Sequence, residues 1–132
     1  MRHFIAYHNT EKMGRRLNEG NPLGVLTNKP VNHMLQSTVW FVTGEGPGVR
    51  HYSLGSVFQV DAVGEADEDG FKRFASGAGH IFQPPVPVKD MDWFPEVLRA
   101  TGHFGLGVQE VKDDSVIAGL TRLAAREGYD VA

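Results

Sequence analysis

The groups in this chain whose types could do chemistry are six histidines, two serines near glycine, a short run of acids and a set of aromatics. His3, His8, His33, His51, His80 and His103 are scattered. None is followed by a second histidine at i+3 or i+4, HExxH is absent, and with no cysteine a thiolate site is unavailable, so no metal centre is predicted. Ser53 and Ser56 lie in no GxSxG turn. The glycines of Gly44-Glu45-Gly46-Pro47-Gly48 precede a strand-like run rather than a helix, which argues against a phosphate-binding loop. Asp67-Glu68-Asp69 reads as the acidic start of a helix. No catalytic set emerges, and the expected activity is binding, with no cofactor. His8 reads as a pocket or turn residue and His51 as surface or barrel-lining.

The elements that must position a binding site centre on Ser37 to Val63. Thr38 to Thr43 holds Val, Trp, Phe, Val and Thr, types that fill a pleated, half-buried surface. After the Gly/Pro break, Val49 to Val63 resumes with Tyr52, Leu54, Val57, Phe58 and Val60, so the pair predicts a hairpin. A first strand is expected at Arg2 to Tyr7, a helical turn at Glu11 to Leu17, a long loop to Leu23, a short strand to Thr27 and a short element at Val31 to Leu35. Phe71, Phe74 and Ala75 behind the three acids predict a short helix. Pro84, Pro85 and Pro87 force an extended connection. Asp92 is a candidate cap for a helix to Ala100 with Pro95 in its first turn. Phe104 to Val111 predicts a strand. Asp113 or Asp114 then caps a last helix whose Val116, Ile117, Leu120, Leu123 and Ala124 form one apolar stripe, ended by Gly128. The expected fold is α+β in a single domain, 1–132: about five or six strands curled into a small β-barrel with about three packed helices.

Net charge is −3, which argues against indiscriminate binding to phosphate backbones. The charge is polarised along the chain. Residues 1 to 52 carry six Lys/Arg against three acids, and the remainder seven against thirteen. The amino-terminal part could therefore still meet a polyanion. No stretch approaches the ~20 apolar residues needed to span a bilayer, and no export signal is evident, so a soluble, cytoplasmic protein is expected.

The opening strand ending in Tyr7-His8-Asn9, the run VWFVTGEGPGVRHYSLGSVFQVDAV, the Asp92-Trp93-Phe94 helix start and the late FGLGVQEV segment together resemble the PUA-like superfamily. Within it, the chain is most similar to the EVE-type domains, relatives of the YTH, ASCH and SRA folds. The resemblance implies a small barrel flanked by helices, with a pocket for a nucleobase taken out of its strand. It also implies a bacterial, restriction-associated setting, in which a fused or separate nuclease would do the cutting and this chain the reading. The implied pocket draws on Tyr7, His8, Asn9, Trp40, Thr43 and Phe104.

An extruded base loses stacking and pairing worth a few kcal/mol, which aromatic faces and edge hydrogen bonds must return. Stacking faces are available at Tyr7, Trp40, Phe41, Tyr52, Trp93 and Phe104. Asn9 and Thr43 can donate or accept, and backbone at Gly44 and Gly105 can approach a ligand closely. Lys12, Arg15, Arg16 and Arg50 are the candidate phosphate contacts. Strand alternation puts Val39, Phe41 and Thr43 on one face and Thr38, Trp40 and Val42 on the other, and both sets cannot line one cavity. The leading expectation is a reader of a modified base, 5-methylcytosine or a relative in DNA ahead of RNA. The rivals are a small-molecule-binding or hydrolytic barrel of the ASCH kind and a protein-interaction module using a sheet edge.

Overall fold

A computed structural model describes residues 1–13, 17, 20–46 and 51–131, with Glu11 and Lys12 as backbone only. Its elements are β1 (His3–Asn9), α1 (Thr10–Met13), β2 (Gly24–Thr27), a 3-10 turn (Asn32–Met34), β3 (Thr38–Glu45), β4 (His51–Glu68), β5 (Phe71–Pro87), α2 (Phe94–Ala100), β6 (Gln109–Val111) and α3 (Asp114–Arg126). The six strands form one mixed sheet in the order β2-β5-β4-β3-β1-β6. β1 runs parallel to β3, and every other pairing is antiparallel. β3 sits centrally and is buried from Thr38 to Gly44, which is why β-branched and aromatic residues fill both its faces.

The two faces carry two cores. Phe4, Ala6, Val39, Phe41, Phe58 and Val60 form the inner one with Val25 from β2 and Val108 from just before β6. Residues from opposite ends of the sheet thus share one cluster, so the sheet curls on itself. It does not close into a barrel: β2 and β6 exchange no ladder, and Lys29 spans the seam by donating to the Val108 carbonyl at 2.8 Å and to Gln109 Oε1 at 3.0 Å. The outer face, with Ile5, Trp40, Val42, Leu54 and Val57, is covered by α2 and α3. Asp113 caps α3 through bonds from the Ser115 and Val116 amides, and those same contacts hold its carboxyl below the usual range, with the Ser115 hydroxyl contributing most.

The α+β class holds, but the predicted barrel is open, and among the described residues two helices exceed a single turn rather than the three expected. The missing helix is the one expected behind Asp67-Glu68-Asp69. Asp67 and Glu68 instead end β4, and Glu68 pairs with Phe71 across Asp69-Gly70, whose φ values of 53° and 82° make a tight two-residue hairpin turn. The proline run is strand, not connection: β5 continues to Pro87, with Phe82 to Pro85 bulging opposite Gly55 where no ladder N–H is required. Phe104 to Val111 yields strand only from Gln109, because Gly102, His103, Phe104 and Gly107 all take left-handed φ. Trp93, not Asp92, occupies the cap of α2, and Pro95 lies in the first turn as expected. Among the described residues no helix is long and apolar enough to cross a membrane.

Candidate binding cleft

β1 ends where its last three side chains face different surroundings. Tyr7 points to the outer face with Ile5, His8 to the inner face with Phe4 and Ala6, and Asn9 pairs with Gly44 at the rim. Around this end opens a cleft of about 950 Å3. It is lined by Tyr7, His8 and Asn9 of β1, Leu17, Phe41 of β3, Phe71 and Phe74 of the β4–β5 hairpin, and Phe104. Glu68 and Asp69 add acid at the hairpin end.

Phe104 lies flat on Tyr7, the ring centroids 4.2 Å apart at 10°. Tyr52 meets Phe104 at 5.5 Å and Phe94 at 5.2 Å, so four aromatics form one cluster. Burial pushes the Tyr7 hydroxyl up to about 12, with a smaller contribution from Tyr52. The loop that delivers Phe104 has three consecutive left-handed residues, Gly102 (58°), His103 (54°) and Phe104 (65°), and two of them carry side chains that disfavour this backbone. It is tied at its base by Thr101, fully buried, whose Oγ1 accepts from the Phe104 amide at 3.2 Å.

Of the residues expected to make a pocket, Tyr7, His8, Asn9 and Phe104 meet at this cleft. Trp40 does not. It is 0 % exposed in the outer core, its Nε1 donating to His3 Nδ1 at 3.0 Å, so the open question of faces resolves for Phe41 and against Trp40. Burial, then the chain's amino group, lowers the His3 pKa. Trp93 is also core: a Cβ on Gly119 of α3 would fall 2.3 Å from its indole. Thr43 is 3 % exposed and borders a second, smaller cavity. Gly44 is held in the sheet between Asn9 and Tyr52, and Gly105 bonds back to Gly102 in the Phe104 loop. Arg15, Arg16, Arg50 and the Lys12 side chain lie outside the described residues.

Leu17, Phe71 and Phe74 are cleft residues the sequence reading did not select. The sequence pattern places Leu17 in a helical turn and the two phenylalanines on a helix face; the Asp69-Gly70 pair is the sign in the sequence that Phe71 and Phe74 belong to a hairpin. Among the described residues no three of His, Asp or Glu gather as a metal set. No protein-family model matches the chain, and no curated protein matches it.

Proposed function

We propose that this chain is a nucleic-acid reader whose cleft receives a base turned out of its strand, a modified cytosine in DNA being favoured. The observation that carries the reading is the meeting of Tyr7, His8 and Asn9 from β1 with Phe104 from a distant loop at one aromatic-lined cleft. A flipped base needs π-faces and edge partners to replace what it leaves. Phe71 and Phe74 supply faces, and Tyr7 supplies another once Phe104, stacked on it at 4.2 Å, moves off, each stacking contact being worth about 1–3 kcal/mol. The Asn9 amide and His8 imidazole supply donors and acceptors. Lys12, Arg15, Arg16 and Arg50 would hold the phosphates, and a fused or separate nuclease would supply cleavage. The curled sheet with helices on its outer face fits a PUA-like, EVE-type domain whose seam is bridged by Lys29 rather than by a ladder.

The test is a titration at low and moderate salt against matched oligonucleotides bearing cytosine, 5-methylcytosine, 5-hydroxymethylcytosine or N6-methyladenine. A tenfold preference for one, about 1.4 kcal/mol, with affinity falling as salt rises, supports the reader. Absence of binding to any of them at low salt refutes it.

A second reading is favoured by Glu68 and Asp69 on the cleft margin, which repel phosphate: a small neutral or cationic ligand in an ASCH-like site, with His8 as acid or base. Turnover that survives His8→Ala and loss of both acids would dismiss it.

A further inference from the structure

We infer that the row His8, Thr43 and Ser53, roofed by Leu17, is a subsite for a small neutral substituent carrying a hydroxyl on the ligand's ring, a hydroxymethyl group in particular. The inference rests on the base-reader proposal. The β1–β3 register sets His8 beside Thr43, and the β3–β4 register sets Thr43 beside Ser53. Directly paired residues present their side chains on one face. A polar line therefore crosses three strands on the face that also carries Phe4, Ala6, Val39 and Phe41.

The line leads from one cavity to another. His8 borders the main cleft, while Thr43 and Ser53 border a separate cavity of about 260 Å3. Leu17 borders both. Gly55 lets it lie there, since a Cβ at that position would come 2.6 Å from Leu17 Cδ2. A substituent on a ring in the cleft would reach the second cavity by passing Leu17.

The chemistry of the second cavity selects the substituent. The Thr43 and Thr10 hydroxyls are 3.4 Å apart, a contact at the outer limit of hydrogen bonding that is readily exchanged for a ligand hydroxyl. A hydroxyl can both donate to and accept from Thr43 and Ser53, whereas a methyl would desolvate them without return. Glu45 on the same cavity disfavours an anionic substituent such as a carboxyl.

The experiment compares affinities for oligonucleotides carrying 5-hydroxymethylcytosine and 5-methylcytosine, in the wild type, Thr43→Val and Ser53→Ala, with folding checked by circular dichroism. The expected result is a hydroxymethyl preference of at least tenfold in the wild type that falls to about onefold in Thr43→Val. Should Thr43→Val fail to fold, the same loss in Ser53→Ala decides. Equal or reversed affinities in the wild type overturn the inference, as does a preference that persists in the folded variants. Failure of every oligonucleotide to bind refutes the reader itself, a result distinct from binding without hydroxymethyl preference.

Discussion

Replacing Trp40 separates a core residue from a ligand platform. The side chain is 0 % exposed, and its indole both stacks near His3, with centroids 6.2 Å apart, and donates to His3 Nδ1 at 3.0 Å. Trp40→Ala deletes a fully buried indole and should cost about 3–5 kcal/mol. That is a large share of the 5–15 kcal/mol typical of a domain, so this variant risks unfolding. Trp40→Phe is the sharper test. It retains an aromatic ring but removes the N–H, leaving a buried imidazole nitrogen without its donor, at about 1–3 kcal/mol. Urea denaturation of wild type, Trp40→Phe, His3→Gln and the double variant forms a cycle; a coupling of roughly 0.5–3 kcal/mol with unchanged m-values is expected. Ligand preference in folded Trp40→Phe should match the wild type. An unmoved denaturation midpoint together with lost base discrimination would refute the placement of Trp40 in the outer core.

Three further outcomes follow from the geometry. Because the folded His3 pKa lies below its ordinary 6.5, the unfolded chain protonates first, so stability is held above about pH 6.5 and lost as pH falls below it; denaturation midpoints against pH should show this slope, flattened in His3→Gln. Tyr7 is the opposite case, an acid raised to about 12 from 10.0, so its contribution is present below pH 10 and lost above; in Phe104→Ala, ultraviolet titration should find the phenol moved toward 10.0, and an unmoved value would contradict its burial by Phe104. Gly70→Ala places a Cβ in open space on a backbone at φ +82°, so it should destabilise by about 1–2 kcal/mol, whereas a helix at this position would gain about 0.5–1 kcal/mol; the sign of the shift in midpoint decides.

Local signals in the sequence reported local structure well. β3 and α3 are legible because their patterns are set by their own burial: both faces of Val39 to Val42 are covered, and Val116, Leu120, Leu123 and Ala124 repeat at helical spacing behind an Asp113 cap. Phe71, Phe74 and Ala75 share that spacing by coincidence, and the Asp-Gly turn before them overrides it. The face of β3 that meets the cleft was not legible, because both faces are apolar and what separates them is tertiary, α2 and α3 covering the Trp40 face and β2 reaching the Phe41 face. Tyr7, His8 and Asn9 were grouped through the family resemblance, and the end of β1 brings all three to one cleft. Leu17 was not selected because its place beside both cavities depends on tertiary structure that no local pattern reports.

The Phe104 loop bears on kinetics. A planar ring arriving at Tyr7 meets a face already taken, since Phe104 lies there at 4.2 Å. Entry onto that face must wait for the loop to swing out, so the observed association rate should rise with ligand concentration and then level off at the rate of loop opening. The apparent affinity is divided by the fraction of molecules with Phe104 displaced. The two left-handed residues that carry side chains, His103 and Phe104, make departure less costly than in a relaxed loop, because leaving the stack also releases an unfavourable backbone. For the proposed reader, the resident phenylalanine would be a competitor present at fixed concentration in every molecule, screening out rings that stack on Tyr7 no better than it does.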